Sequence, residues 1–177
     1  SCQTSLTNVV EQWAVACNDS QFSAAVFIDL AKAFDMIPHN LLLEKLEHYK
    51  ISAEVIQLLS SYLYGRSQRV SVQSKLSNCL PVTRGIPQGS ILGPLLFNIY
   101  VNDLPLHISH CAIELFADDT TLHLSSLPVT EIESNLNLSL LQLQSWCSDN
   151  QMCVNPSKSE YMLMASRQSG NVWRKNP

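Results

Sequence analysis

Two adjacent carboxylates between apolar-alternating runs are the feature that most constrains this chain. Residues 113–115 and 122–124 alternate apolar and polar side chains, and Asp118 and Asp119 lie between the two runs. Such alternation predicts two strands, each with one buried face, joined by a turn at the acid pair. Neighbouring side chains on a regular strand point to opposite faces, but a turn relaxes that constraint. One or both acids can therefore face a metal ion, although Asp is also an ordinary turn residue.

A third carboxylate, Asp29, lies at the end of the apolar run 24–30. The length and the Val, Phe and Ile content of this run predict a buried central strand. Because burying an acid alone is costly, we expect this strand end to open into a site. Strands of one sheet can bring Asp29 beside the acid pair, and carboxylates held so close are favourable only around divalent cations. Oxygen ligands of this kind select Mg²⁺ or Mn²⁺, and two such ions can clamp an in-line phosphoryl transfer.

The composition favours a folded domain and argues against a strongly basic one. The chain has 177 residues, of which 46% are hydrophobic and 15% charged, so it can bury a core. Its net charge of -4 does not suit a module that holds nucleic acid by charge alone. Four basic side chains lie in or beside a predicted hairpin at 68–82, where they either contact phosphates or form a solvated face. They are Arg66, Arg69, Lys75 and Arg84.

The six cysteines form no C-x-x-C pair, and most lie within apolar runs. We therefore expect reduced, mostly buried thiols in an intracellular protein. His107, His110 and Cys111 suggest zinc as an alternative, but they lack a second ligand pair at a usual spacing. No secretion signal is visible, and the longest apolar stretch, 91–101, is too short to span a membrane.

Periodicity along the chain predicts a mixture of helices and strands. The predicted helices are 4–16, 41–49, 53–64, 95–101 and 131–150, and the predicted strands are 24–30, the hairpins 68–82 and 113–124, and short strands at 152–154 and 161–164. A turn that bears Lys158 separates the last two strands. From residue 166 onward the chain is polar, and we expect a frayed end.

Three motifs, in this order and spacing, resemble the reverse transcriptases: FIDLAKAFD, PQGSILGPLLFNIYVNDL and FADD. They are most similar to those of non-LTR (LINE-type) retrotransposons of the jockey or CR1 style, and the resemblance covers residues 1–165. It implies an α+β, right-hand polymerase fold, in which an antiparallel palm sheet packs against helices. One domain, 1–165, would comprise the palm and part of the fingers, without the thumb, and 166–177 would be the frayed segment.

The resemblance also assigns roles to the acids and to the late lysine. Asp29 would be the first metal ligand and Asp118 the second, with Asp119 in the same signature but less directly bound. Two Mg²⁺ ions, or Mn²⁺, would be the cofactors. Lys158 would be the general acid for the leaving pyrophosphate, and the alternative is a solvated turn lysine. We expect Asp35 to cap the turn before the helix at 41–49, since Asp is a strong cap.

Five further residues would hold the nucleotide and the template. Leu30 and Ala31 would bring backbone to the second metal and the triphosphate. Phe34 would clash with a 2′-hydroxyl and so favour deoxynucleotides, or it could be simple core. Gln88 and Gly89 would line the nucleotide and template pocket.

The implied function is RNA-directed DNA synthesis on a primer 3′ end. The partners would be an RNA template, a DNA primer and deoxynucleoside triphosphates, with no membrane, in the cytoplasm and nucleus. Endonuclease and thumb segments of a parent polyprotein would be missing from this chain, so we expect the fragment to be weakly processive or inactive. The alternative is a non-catalytic nucleic-acid-binding remnant of a decayed element.

Overall fold

The computed structural model describes residues 2–126 and 128–165. Within these residues the chain forms two compact units. The first contains 2–31, 103–149 and 153–165, and the second contains 32–102 and 150–152. The polar segment 166–177, predicted to be frayed, lies outside the described residues. The single domain over 1–165 stays a prediction.

Helices and strands account for most of the described chain. The helices are α1 (Cys2–Asn18), α2 (Ala33–Met36), α3 (His39–His48), α4 (Ala53–Leu63), α5 (Leu92–Val101), α6 (Leu104–His107) and α7 (Val129–Asp149). The strands are β1 (Phe22–Asp29), β2 (Ser67–Gln68), β3 (Ser71–Val72), β4 (Lys75–Leu76), β5 (Leu80–Pro81), β6 (Ala112–Phe116), β7 (Asp119–Ser126) and β8 (Glu160–Ala165). Each predicted helix and hairpin is found within a few residues of its predicted bounds.

The first unit is built on a four-stranded antiparallel sheet in the order β6-β7-β1-β8. β1 lies between β7 and β8, which confirms the prediction of a central strand. The first four residues of β1 are all buried, as expected for a strand covered on both faces. Of the predicted strand at 152–154, only Val154 pairs, in an isolated bridge to Leu30.

Helix α7 covers one face of this sheet. Phe22 and Ala24 of β1 form a buried cluster with Ile132 of α7, and Leu124 and Leu136 pack against it. Apolar burial of this kind stabilises by roughly 25 cal/mol per Å². Because strand side chains alternate between faces, the odd-numbered residues of β1, Asp29 included, point away from α7.

In the second unit α3 packs against both α4 and α5. Leu42 and Leu46 of α3, Leu63 of α4 and Phe97 of α5 are fully buried. The hairpin that follows α4 is exposed along its whole length and consists of two nested pairs, β2 with β5 and β3 with β4. This confirms the predicted hairpin at 68–82.

The cysteines whose side chains the structure describes are free, but most of them are not buried. Among those whose side chains are described, only Cys147 is buried, whereas Cys79 and Cys153 are exposed. The expectation of mostly buried thiols is therefore wrong, because the apolar neighbours of Cys79 belong to an exposed hairpin. In the part of the chain that the structure describes, no helix is both long and apolar enough to cross a membrane.

Candidate active site

Asp29 and Asp119 are cross-strand neighbours. Asp29 ends β1, Asp119 begins β7, and the register of the two strands pairs their Cα atoms. Residues directly opposite in an antiparallel pair project to the same face, with Cβ atoms about 5 Å apart. Asp29 is half-buried and Asp119 is exposed. Two of the three predicted acids therefore lie side by side at one end of the sheet.

Asp118 lies in the turn between β6 and β7. It follows Ala117, whose φ of 52° is in the left-handed region that residues with a Cβ seldom adopt. This conformation lets a two-residue turn join the strands and leaves Asp119, rather than Asp118, opposite Asp29. Direct metal binding by Asp118 stays a prediction.

Asn155 holds Asp29 through both its backbone and its side chain. The Asn155 side-chain amide donates to Oδ2 of Asp29 at 3.0 Å, and the Asn155 backbone N–H donates to the Asp29 carbonyl oxygen at 2.8 Å. Ser159 adds a third link, because its hydroxyl accepts from the Asp29 N–H at 3.3 Å and donates to the Asn155 carbonyl oxygen at 2.9 Å. The turn 155–159 thus fixes the position of this carboxylate.

Both paired acids line a cavity of about 670 Å³ in the first unit. Its other walls are mainly apolar and include Trp13 of α1 and Phe27 of β1. Lys158, the proposed general acid, also lines this cavity, and its side chain is exposed. A cation and two carboxylates therefore line one partly apolar cavity.

The donor set fits a hard divalent cation. Among the described residues, no group of three or more His, Cys, Asp and Glu side chains is arranged to hold a metal ion. The alternative of a zinc site at 107–111 therefore has no support from the structure. Mg²⁺, however, is usually bound by only one or two carboxylates together with substrate phosphates and water. The oxygens of Asp29 and Asp119 match that requirement.

The backbone groups of Leu30 and Ala31, which were predicted to contact the second metal and the triphosphate, contact other residues of the first unit. Leu30 is buried and bridges to Val154. The Ala31 N–H donates to the Cys153 carbonyl oxygen at 2.7 Å. A triphosphate contact from the Ala31 amide would therefore require this bond to break.

The predicted nucleotide residues Phe34, Gln88 and Gly89 belong to the second unit. Phe34 is half-buried and stacks on Phe97, with ring centroids 4.6 Å apart, so it is at least partly a packing residue. Gln88 is exposed, and its amide donates to Oδ1 of Asp35 at 3.0 Å. Gly89 is exposed with a φ of 76° and has open space at its Cβ position.

The prediction that Asp35 caps the following helix is wrong. Asp35 lies inside α2, and Pro38 occupies the position before α3. The Asp35 carboxylate instead accepts the hydrogen bond from Gln88, which lies 53 positions away in the sequence. Short-range capping rules could not anticipate a partner so distant.

The sequence matches a known protein family over nearly its whole length. The family described as "Reverse transcriptase (RNA-dependent DNA polymerase)" matches residues 4–175. The chain belongs to the reverse transcriptase family. The resemblance of the three motifs to LINE-type reverse transcriptases is confirmed by similar proteins from mobile elements.

This reverse transcriptase domain is similar to proteins of insect mobile elements. It is 35% identical over 151 residues to the probable RNA-directed DNA polymerase from transposon BS of Drosophila melanogaster, covering 81% of this chain and 17% of that protein. It is 28% identical over 169 residues to the RNA-directed DNA polymerase from mobile element jockey of the same species, covering 92% and 18%. The chain spans less than a fifth of the length of these relatives.

Solved structures of telomerase share the fold. The Candida albicans telomerase, in complex with a TWJ fragment of telomeric RNA, gives a TM-score of 0.63 at 14% identity, over 88% of this chain and 30% of that chain. A Candida tropicalis telomerase complex gives 0.62 at 13% identity, over 89% and 29%. At such low identity the likeness concerns the fold alone. Helices with an antiparallel sheet agree with a palm-like reverse transcriptase fold, and the division into palm and partial fingers stays a prediction.

Sequence reasoning missed Asn155 and Ser159. The segment VNPSKSE drew attention only to its lysine, because a cation near phosphates has an obvious chemical use. An Asn beside Pro reads as an ordinary turn residue. Its contact with Asp29 becomes visible only when the sheet register and the turn are known.

Proposed function

We propose that this reverse transcriptase domain carries the nucleotidyl-transfer site of an RNA-directed DNA polymerase. The observation that supports this most directly is the pairing of Asp29 with Asp119 on a cavity that Lys158 also lines. The substrates would be a DNA primer annealed to an RNA template, and deoxynucleoside triphosphates. The primer 3′-oxygen would attack the α-phosphorus, and pyrophosphate would leave.

In this mechanism the three aspartates would bind the metal ions, and Lys158 would protonate the leaving group. Asp29 and Asp119, with Asp118 from the adjacent turn, would hold two Mg²⁺ ions, or Mn²⁺, which favour ionisation of the 3′-hydroxyl and neutralise charge on the triphosphate. Asn155 would keep the Asp29 carboxylate oriented while the ions bind. The Lys158 ammonium would donate a proton to the departing pyrophosphate oxygen.

The residues predicted to hold the nucleotide keep their proposed roles. The Phe34 ring would exclude a 2′-hydroxyl, and its stacking on Phe97 would fix the position of that ring. Gln88 and Gly89 would line the nucleotide and template pocket, with Gln88 oriented by Asp35. Leu30 and Ala31 would supply backbone groups to the second metal and the triphosphate, and the Ala31 N–H would first have to leave the Cys153 carbonyl oxygen.

The chain would work as part of a longer protein. Its relatives are more than five times as long as the aligned segment, as their coverage of 17% and 18% shows. We propose that thumb and endonuclease segments of the parent complete the grip on primer and target in the cytoplasm and nucleus. The chain alone would add nucleotides slowly and with little processivity.

Single-nucleotide incorporation tests the proposal, with the chain in excess over a primer annealed to RNA in Mg²⁺ buffer. Asp29→Asn and Asp119→Asn should each lower the rate by roughly a thousandfold, the usual scale for loss of a metal ligand. Asp19→Asn is the matched control, since Asp19 is exposed and outside the cavity. Variants of Asp29 and Asp119 that incorporate as fast as the control would exclude this site. Metal-independent RNA binding without any incorporation would instead favour the non-catalytic remnant.

A further inference from the structure

His39, the first residue of α3, is a buried histidine that has no part in the chemistry proposed above. Its side chain is only 1% exposed, and its Nε2 atom lies 2.9 Å from the Gly85 carbonyl oxygen. Because a carbonyl oxygen can only accept, the Nε2 atom carries the proton and donates it. The Nδ1 atom has no hydrogen-bond partner among the described residues, which suits the unprotonated nitrogen of this tautomer. The ring lies nearly perpendicular to that of Tyr64, with centroids 5.2 Å apart, so it is held in one orientation.

The backbone at Gly85 is bound to the segment 34–39 along its length. The Gly85 N–H donates to the Ile37 carbonyl oxygen at 2.8 Å, and the Ile86 N–H donates to the Phe34 carbonyl oxygen at 2.9 Å. The histidine adds a side-chain donor on the carbonyl side of Gly85. Both polar backbone groups of this glycine are therefore satisfied by one short stretch of chain.

The connection from Gly85 to Gln88 is short and stiff. Pro87, directly before Gln88, has its φ fixed by its ring, and its carbonyl oxygen accepts from the Ser90 hydroxyl at 2.8 Å. The Gln88 amide donates to Oδ1 of Asp35 at 3.0 Å. The Asp35 backbone lies close to Gly85, since a Cβ at Gly85 would be 2.9 Å from the Asp35 Cα. A shift of the Gly85 backbone would therefore move Gln88 relative to its partner.

We propose that His39 is a positioning residue for the turn that carries Gln88 and Gly89, and that it thereby sets how tightly the incoming nucleotide is held. The proposal rests on the proposed function, which assigns Gln88 and Gly89 to the nucleotide and template pocket. A side chain as buried as that of His39 acts through Gly85 and not by contact with the substrate. Its contribution would be to hold the turn in its binding geometry before the nucleotide arrives.

The first experiment measures kcat and KM for a deoxynucleoside triphosphate in single-nucleotide incorporation on an RNA template. His39→Leu removes the donor and should raise KM by roughly tenfold with kcat little changed, the scale of one neutral hydrogen bond that supports a binding group. His39→Gln should restore KM, because its amide nitrogen lies as many bonds from Cα as Nε2 does and also donates. His39→Asn has an amide one bond too short and should behave like His39→Leu, so the test does not depend on the folding of one variant.

Leu42→Val is the control for loss of packing, since Leu42 is fully buried in the same helix. It should lower stability to urea without changing KM, because it leaves the hydrogen bond to Gly85 in place. A rise in KM that is as large in Leu42→Val as in His39→Leu would overturn the proposal, since the effect would then follow from destabilisation alone.

The second experiment asks whether His39 acts through Gln88. Gln88→Ala should itself raise KM, and adding His39→Leu should raise KM no further, because the group that His39 positions is then absent. An effect of His39→Leu that is equal with and without Gln88 would overturn the proposal and leave Gln88 in its proposed role. An unchanged KM in Gln88→Ala would overturn the proposed role of Gln88 as well, so the two failures can be told apart.

A third measurement does not depend on incorporation. In heteronuclear NMR spectra of the chain, the Gln88 side-chain amide reports its hydrogen bond to Asp35. His39→Leu and His39→Asn should shift this signal and the Gly89 backbone signal, whereas His39→Gln and Leu42→Val should leave both near their original positions. Unmoved Gln88 and Gly89 signals in both His39→Leu and His39→Asn would overturn the proposal.

Discussion

The side-chain amide of Asn155 donates a 3.0 Å hydrogen bond to the Asp29 carboxylate, across 126 positions of sequence. The same residue donates its backbone N–H to the Asp29 carbonyl oxygen. An amide donor on a carboxylate leaves the negative charge in place while fixing where the free oxygen lies. Asn155 is therefore a positioning residue for the proposed metal site.

Replacing Asn155 should change the metal dependence of the domain. Groups that orient a metal ligand typically contribute 10- to 100-fold in affinity or activity. Asn155→Ala is therefore expected to raise the Mg²⁺ concentration for half-maximal incorporation by about tenfold or more. Mn²⁺ binding, followed by electron paramagnetic resonance, should weaken in parallel. Asn137→Ala, at an exposed position of α7, is the control, and an equal Mg²⁺ dependence in the two variants would count against a positioning role.

Gly85 and Gly89 offer a matched pair for backbone strain. Both have positive φ, +85° and +76°, but a Cβ at Gly85 would lie 2.9 Å from the Cα and carbonyl oxygen of Asp35, whereas none of the atoms described lies within 4 Å at Gly89. Gly89→Ala should cost about 1–2 kcal/mol through the left-handed backbone alone. Gly85→Ala should lower the free energy of unfolding by clearly more, because the backbone of Asp35 would have to move. Urea unfolding measures the destabilisation by each variant. Equal values would show that the Asp35 backbone moves without a free-energy cost.

Cys79 and Cys147 should differ in thiol reactivity. Hydrogen bonds from Ser67 and then Arg69 lower the pKa of exposed Cys79. Burial raises the pKa of Cys147 to about 11, with a further contribution from Cys153. Because the thiolate is the nucleophile, iodoacetamide near neutral pH should alkylate Cys79 first and Cys147 only after unfolding. Peptide mass spectrometry reads the order, and early modification of Cys147 in the folded chain would contradict it.

Buried His123 should make stability fall in mild acid. Burial lowers the pKa of His123, opposed in part by Glu114, and the Nε2 atom has no hydrogen-bond partner in the described chain. The folded pKa is therefore below the ordinary value of 6.5, and between the two values the unfolded chain binds more protons. The free energy of unfolding should drop as pH falls from about 6.5 toward the folded pKa.

Urea unfolding over this pH range, for the chain and for His123→Gln, measures the effect. The variant should lose part of the pH dependence, whereas His48→Gln, at an exposed position, should keep it. Identical pH profiles for the chain and His123→Gln would show that other groups account for the acid sensitivity.

Local periodicity was enough to predict most elements, because it reports which face of a strand or helix is buried. It placed β1 in the centre of the sheet and the acid pair at the hairpin turn. It could not predict which acid faces Asp29, because that depends on a left-handed Ala117, a conformation with no sequence signal in alanine. Asp35 and Asn155 were misjudged or missed for the same physical reason, since their partners are 53 and 126 positions away.

The position of Asp119 in the candidate active site depends on the register between β1 and β7. Eight consecutive residue pairs run from Phe22 opposite Ser126 to Asp29 opposite Asp119, and no loop interrupts them. A one-residue insertion or deletion within β7 that shifted this register would turn the Asp119 carboxylate toward α7 and remove it from the cavity. Lineages of this domain should therefore tolerate length changes in the exposed hairpin 67–81 and lose function when they occur inside the β1–β7 ladder.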